Sequence, residues 1–115
     1  MTKVICTFLG RDTTSYGHIA VKNRIGDMKR VHNATNISNP MVFTSDIENE
    51  SHIRKEALHN GVQYKGIRKN VYVALAELCE SYDEVHVTCG ANNYNHYLKL
   101  AQYLEENTGK KVVVY

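Results

Sequence analysis

The sequence predicts a single α/β domain over residues 1–115, with a mixed central sheet that is flanked by helices. A continuous apolar run at Lys3–Leu9 is typical of a strand that is buried on both faces. The C-terminal half alternates helix-like and strand-like patterns, which is typical of parallel strands joined by helices. We therefore expect the first, fourth and fifth strands to form the parallel centre of the sheet.

An antiparallel hairpin is predicted after the first strand. Residues 16–25 show a strand-like alternation of apolar and polar side chains, and Gly26-Asp27 has the form of a turn. Residues 28–34 would be the second arm, which places the hairpin on an edge of the sheet. A further short strand is predicted at residues 41–44, "MVFT".

The rest of the chain predicts three helices and two strands. The first helix follows a capping-box pattern, in which Ser45 precedes Glu48 by three residues. The later helices each show one apolar face. In order, the predicted elements are a helix at residues 46–60, a helix at 67–82, a strand at 84–89, a helix that ends at Gly109 and a strand at 112–115.

Composition excludes several function classes. The net charge of +2 is too weak to indicate a nucleic-acid-binding protein. No apolar run approaches the roughly 18 residues of a membrane span, and the N-terminus lacks the features of a signal peptide. Three scattered cysteines do not make a disulfide framework. We therefore expect a cytoplasmic protein with no membrane association.

Two polar loops, "GRDTTS" and "CGANN", follow the predicted first and fourth strands. Because ligands of open parallel sheets bind at the carboxyl ends of the strands, we expect these loops to form one pocket. A plain strand–helix turn is the alternative interpretation of the same residues. The predicted ligand-binding residues are Gly10, Arg11, Thr13, Thr14, Ser15, Gly90, Asn92, Asn93 and His96.

These residues suit an anion. Arg11 would pair with a phosphate, and the neighbouring hydroxyls would add hydrogen bonds. Gly10 and Gly90 would let a ligand approach the backbone. Asn92 or Asn93 would cap the following helix, whose first amides form an anion site.

Catalytic groups and metal sites are not predicted. Cys89 precedes a helix N-terminus, which favours a thiolate, but no arginine follows to close a phosphatase-type loop, so a core thiol is the alternative. His52 and His59 are two helical turns apart, whereas a metal pair on a helix needs a spacing of three or four residues. His86-Val-Thr88 lacks the second motif of a two-histidine phosphoesterase. We therefore expect no metal and no cofactor.

The segments "VICTF" and "DEVHVTCGANNY" look like the first and fourth strands of the ribonuclease H-like fold, and the predicted element order is similar to that fold over most of the chain. Active members carry metal-binding aspartates on these strands and a glutamate on the intervening helix. The corresponding positions here look like Phe8, Cys89 and the neighbourhood of Ile67, where no carboxylate stands. The resemblance therefore implies this fold without two-metal nuclease activity.

Phe8-Leu9-Gly10, Tyr16 and "ELCESYDEVHVTCGANNYNH" resemble CARF domains, the Rossmann-like sensors of cyclic oligoadenylates in CRISPR systems. Members of that family bind the ligand as dimers at the carboxyl ends of their strands, and some cleave it. The resemblance covers about half of the chain. It implies a nucleotide or cyclic-oligonucleotide ligand, a homodimer and a phage- or CRISPR-associated role.

The predicted function is a small non-catalytic protein that binds a nucleotide-like or other anionic ligand at the carboxyl ends of the central strands. Two alternatives remain open. One is a virus- or plasmid-encoded factor that inhibits a host protein, because the chain is rich in tyrosine, which suits protein interfaces. The other is a metal-independent, CARF-like enzyme that cleaves a cyclic nucleotide and positions it with His96 or a hydroxyl.

Overall fold

A computed structural model of the chain describes residues 2–10, 17–67 and 70–115, without the side chain of Ile67. Strands and helices alternate throughout this part, so the predicted α/β class is confirmed. A 3₁₀ turn at Ala91–Asn93 precedes the last helix. In order, the elements are β1 (Lys3–Leu9), α1 (His18–Thr35), β2 (Pro40–Thr44), α2 (Glu50–His59), β3 (Gln63–Ile67), α3 (Val71–Ser81), β4 (Glu84–Thr88), α4 (Tyr94–Thr108) and β5 (Lys111–Val114).

The five strands form one parallel sheet in the order β3-β2-β1-β4-β5. β1 lies at the centre, where Cys6 pairs with Met41 of β2 on one side and with Val87 of β4 on the other. The chain runs outward from β1 to β3 and then returns to β4, so the direction of winding reverses between β1 and β4. The carboxyl ends of these two strands therefore flank the topological switch point, where open α/β sheets bind ligands.

The sheet separates two apolar cores. One contains buried residues of α1 and α2, including Val21, Ile25 and Ile53, and the other contains buried residues of α3 and α4, including Leu75 and Leu104. Each helix turns one apolar stripe to the sheet, as amphipathic helices in three-layer domains do. The predicted parallel pairing of the first, fourth and fifth strands is confirmed, although β5 forms an edge.

The predicted antiparallel hairpin is wrong. Helix α1 occupies residues 18–35, where most of both arms was expected, and the described strands are all parallel. Residue 16, the start of the first arm, lies outside the described residues. Val21, Ile25 and Met28 recur at helical spacing and are buried, whereas Ile19, which suggested a strand, is 74% exposed. Gly26 lies inside α1 rather than in a turn. A glycine there weakens a helix by about 0.5–1 kcal/mol relative to alanine, and burial of the three apolar side chains offsets this cost.

Two smaller differences concern α2 and β3. Helix α2 begins at Glu50 rather than after Ser45, because the carboxylate of Asp46 accepts the backbone N–H groups of Glu48 at 3.1 Å and Asn49 at 3.3 Å in the preceding loop. Strand β3 is an additional edge strand whose register shifts along β2.

A membrane-spanning helix would need more length and more apolar residues than any of the described helices has.

Candidate functional site

The two loops that the sequence singles out leave the sheet side by side. Thr7 of β1 and Thr88 of β4 are paired in register, so Gly10 and Gly90 follow the carboxyl ends of adjacent strands. This edge is the topological switch point. Four of the predicted ligand-binding residues lie outside the described residues: Arg11, Thr13, Thr14 and Ser15.

Arg24 places a positive charge at this edge. A Cβ atom built on Gly90 would lie 2.6 Å from Nη2 and 3.4 Å from Cζ of Arg24, so the guanidinium lies directly against the glycine backbone. Arg24 is half-buried, and the neighbouring Val21 and Ile25 point into the core beneath α1. Helical periodicity therefore leaves Arg24 at the rim of the packed face of α1, within reach of β4.

The charge of Arg24 acts on two side chains beside the switch point. Burial raises the pKa of the Cys89 thiol, and the positive charge of Arg24 opposes this shift. Burial also raises the pKa of the Tyr97 hydroxyl, and Arg24 again acts in the opposite direction. A guanidinium that favours negative charge on its neighbours provides the electrostatics that an anionic ligand requires.

Cys89 itself is held as a neutral thiol. Its Sγ donates to the carbonyl oxygen of Tyr115 at 3.5 Å, and its pKa is raised. A thiol with these properties is a weak nucleophile, because the thiolate is the reactive form. The geometry therefore favours the interpretation of Cys89 as a structural thiol.

The start of α4 places a helix N-terminus next to Gly90. Asn93 occupies the N-cap position but makes no side-chain capping hydrogen bond. Asn92, Asn93 and His96 are all exposed. The 3₁₀ turn already uses two amides here, because the Asn93 N–H donates to the Gly90 carbonyl oxygen at 3.0 Å and the Tyr94 N–H donates to the Ala91 carbonyl oxygen. What the helix N-terminus offers an anion at this position is therefore its partial positive charge.

Thr88 adds a buried hydroxyl at the end of β4. Its residue is 4% exposed, and its Oγ1 has no hydrogen-bond partner among the described residues. The hydroxyl of Thr7 on the neighbouring strand instead donates to the Thr88 carbonyl oxygen at 3.2 Å. A buried polar atom without a partner costs about 1–3 kcal/mol, and a ligand oxygen at the switch point would supply the missing partner.

The loop after β2 is fixed to the end of β1. Thr44 Oγ1 donates to the Leu9 carbonyl oxygen at 2.7 Å and accepts the backbone N–H of Asp46 at 2.9 Å. A Cβ atom on Gly10 would lie 3.3 Å from Ser45 Oγ, which brings this loop up to the switch point. The loop lines a cavity of about 370 Å³, whose lining among the described residues is Ser45, Asp46, Ile47 and Glu48.

A second cavity, of about 340 Å³, lies at the opposite end of the sheet. It is lined by Thr2 and Lys3 before and within β1, and by residues 35–39. Ligands of parallel sheets bind at the carboxyl ends of the strands rather than at the amino ends. The cavity beside Ser45 therefore lies at the same end of the sheet as the candidate site, and the cavity beside Lys3 does not.

Three residues of this site were not predicted from the sequence: Arg24, Ser45 and Thr88. Arg24 was assigned to a strand of the hairpin, and the helical spacing of Val21 and Ile25 was the signal that would have located it. Ser45 was interpreted as a helix cap. Thr88 is one of the polar residues that alternate with apolar residues along β4, and every residue of this strand is buried. Polar side chains in a fully buried strand indicate a polar site.

Among the described residues, no group of three or more histidine, cysteine, aspartate or glutamate side chains is arranged to hold a metal ion. No protein-family model matches the chain, and no curated protein matches it. The crystal structure of Mycobacterium tuberculosis shikimate dehydrogenase overlaps the chain with a TM-score of 0.47 and 11% identity. The overlap covers 98% of this chain and 44% of that one, so the chain spans less than half the length of the dehydrogenase. The side chains of the site itself are therefore the basis for assigning a function to this chain.

Proposed function

We propose that this protein binds a small phosphate-bearing ligand of the nucleotide class at the carboxyl ends of β1 and β4, without catalysing a reaction on it. The observation that carries the proposal is the guanidinium of Arg24 against Gly90 at the topological switch point. Phosphate oxygens accept two hydrogen bonds from a guanidinium in parallel, which gives arginine both charge and geometry for this task.

The surroundings of Arg24 support an anion rather than a neutral ligand. The N-terminus of α4 adds a partial positive charge beside Gly90, which has no side chain of its own to keep a phosphate away. Thr88 adds a buried hydroxyl that lacks a partner among the described residues. The cavity beside Ser45 is large enough for a small organic group attached to the phosphate.

We assign no catalytic role to this site because of the groups that stand at the strand ends. Phe8 packs its ring against Phe43, with centroids 5.0 Å apart, and is not a charged group. Cys89 is a neutral thiol with a raised pKa. Neither residue activates a nucleophile or holds a metal ion, so we assign Arg24 and its neighbours to binding.

The resemblance to CARF domains supports cyclic oligoadenylates within the proposed ligand class, bound by a homodimer. Phe8-Leu9-Gly10 ends β1, and "TCGANN" ends β4 and enters α4, so both segments lie at the proposed site. Linear nucleotides and inorganic phosphate share the chemistry that Arg24 recognises. Titration with each ligand separately therefore distinguishes among them.

Calorimetric titration with AMP, ATP, cyclic tetra-adenylate, cyclic hexa-adenylate and inorganic phosphate tests the proposal. We expect at least one nucleotide to bind and Arg24→Gln to weaken it about 10- to 100-fold, since a hydrogen bond to a charged group contributes about 1.5–3 kcal/mol. Lys22→Gln is the matched control, because Lys22 is an exposed cation on the same helix. Absence of binding across the panel, or equal affinity in the two variants, would overturn the proposal.

A further inference from the structure

A hydrogen-bonded chain of three titratable side chains connects β4 to the residue after β5. His86 Nε2 lies 2.8 Å from Glu84 Oε1, and His86 Nδ1 lies 2.8 Å from the hydroxyl oxygen of Tyr115. Glu84 and His86 are buried, whereas Tyr115 is 38% exposed. The Tyr115 ring stacks on the imidazole with centroids 5.7 Å apart. The chain thus leads from a buried carboxylate to a partly exposed hydroxyl.

Hydrogen-bond chemistry fixes the position of each proton in this chain. The hydrogen bond from His86 lowers the pKa of Glu84, so Glu84 is a carboxylate at neutral pH and only accepts. The Nε2 atom of a neutral His86 must therefore carry the proton and donate it. Nδ1 is then an acceptor, so the Tyr115 hydroxyl donates inward to the imidazole.

The carboxylate that bonds to His86 has charged neighbours on two other strands. Glu84 lies on the same strand, and two lysines flank its carboxylate: Lys3 of β1 and Lys111 of β5, each with Nζ 3.8 Å from a Glu84 oxygen. Tyr115 approaches from the end of β5. Lys3 and Lys111 therefore pair with the same carboxylate that accepts the hydrogen bond from His86.

Proton uptake by His86 reverses one of these hydrogen bonds. An imidazolium donates from both nitrogens, so Nδ1 then donates to Tyr115, and the Tyr115 oxygen must accept. The hydroxyl proton of Tyr115 is released from its inward bond. We propose that Glu84, His86 and Tyr115 form a pH-operated switch that converts the Tyr115 hydroxyl from an inward donor into an outward donor for an oxygen acceptor.

The backbone around Tyr115 allows this change without movement of β5. The Tyr115 N–H donates to the Val87 carbonyl oxygen at 3.0 Å, and the Tyr115 carbonyl oxygen accepts the Cys89 thiol. The switch therefore moves protons and not a strand. It does not depend on the proposed anion site, because none of its hydrogen bonds involves Arg24.

Nuclear magnetic resonance of the intact chain tests the switch. Long-range ¹H–¹⁵N correlation reports the His86 tautomer, and exchange with water reports the Tyr115 hydroxyl proton. Above the titration midpoint of His86 we expect the Nε2–H tautomer and a protected hydroxyl proton. Below it, we expect both nitrogens protonated and exchange of the Tyr115 hydroxyl at least tenfold faster. An Nδ1–H tautomer at neutral pH, or exchange that does not follow His86, would overturn the inference.

Tyr115→Phe keeps the aromatic ring and removes the hydroxyl. We expect it to change the ¹⁵N shift of His86 Nδ1, which loses its donor, and to leave Nε2 bonded to Glu84. Tyr94→Phe is the matched control, because Tyr94 is also 38% exposed and lies on α4. Identical His86 spectra in the two variants would show that Tyr115 does not donate to the imidazole.

Discussion

The guanidinium of Arg24 occupies the space that a side chain at Gly90 would need, since a Cβ atom there would lie 2.6 Å from Nη2. The residue at position 90 thus determines where the positive charge of α1 meets the end of β4. The arginine is the flexible partner of this contact, so it would move before the backbone does. A side chain introduced at position 90 is therefore expected to move Arg24 within the site and to leave the fold unchanged.

Gly90→Ala is expected to displace Arg24 with little loss of stability. The φ angle of Gly90 is −78°, which alanine adopts without strain, so the free energy of unfolding should change by less than about 1 kcal/mol. Nucleotide affinity should fall at least tenfold in titration calorimetry. Gly26→Ala is the control: it should stabilise α1 by about 0.5–1 kcal/mol and leave affinity unchanged. Equal affinity in both variants would contradict the assignment of Arg24.

The three thiols are expected to differ in alkylation rate. Burial, followed by the proximity of Cys79, raises the pKa of Cys6 far above its usual range, so Cys6 should not react in the folded protein. Cys89 is partly accessible, and Arg24 partly offsets the effect of burial on its pKa, so it should react first. Arg24→Gln should slow Cys89 severalfold. Mass spectrometry of iodoacetamide-treated protein measures each rate, and faster labelling of Cys6 would contradict this order.

Thr88→Val and Thr44→Val are expected to change stability in opposite directions. Valine at position 88 removes a buried hydroxyl that lacks a partner, so stability should rise by up to about 1 kcal/mol. Valine at position 44 removes the bonds to Leu9 and Asp46, which should cost about 1–3 kcal/mol. Urea denaturation of both variants measures the difference. A similar loss in both would show that Thr88 has an unrecognised partner.

Stability is expected to fall in acid partly through Glu84. The hydrogen bond from His86, and then the charges of Lys111 and Lys3, lower the pKa of Glu84 below its ordinary value of 4.5. The folded state therefore binds a proton less readily than the unfolded state, so this contribution is present above pH 4.5 and is lost as the pH falls through the lower value. Glu84→Gln should flatten the acid limb of the curve of unfolding free energy against pH.

Glu80→Gln is the control for this measurement, because Glu80 is an exposed carboxylate on α3. It should leave the acid limb nearly unchanged. Asp83 retains a lowered pKa, chiefly through the backbone N–H of Thr2, so some acid sensitivity should persist in both variants. An acid limb that is identical in Glu84→Gln and the wild-type protein would contradict the role of Glu84.

The C-terminal half could be predicted because its signals are local. The apolar face of α3, the alternation in β4 and Gly109 at the end of α4 each fix an element within a few residues. Helix α1 is missed because Gly26-Asp27 has the form of a turn and outweighs the helical spacing of Val21 and Ile25, the two side chains that pack against the sheet. Local propensity was overridden by tertiary contacts.

The residues of the candidate site also fall into those that the sequence predicts and those that it does not. Gly10 and Gly90 were predicted from the rule that ligands bind at the carboxyl ends of parallel strands, which needs only the order of elements. Arg24 depends on the helical state of residues that look like a strand. The bond between His86 and Tyr115 depends on the register of β4 against β5, which no local pattern in the sequence encodes.

The central place of β1 also affects how the chain is made. Thr7 and its partner Thr88 are 81 residues apart, so β1 emerges from the ribosome long before β4. At about 5–20 residues per second, one edge of β1 waits roughly 4–16 s for its partner. During that time "VICTF" exposes unpaired backbone groups on an apolar, β-branched segment, which is the kind of edge that aggregates. Of the described strands, the one that organises the finished sheet is therefore the one that waits longest for its second neighbour.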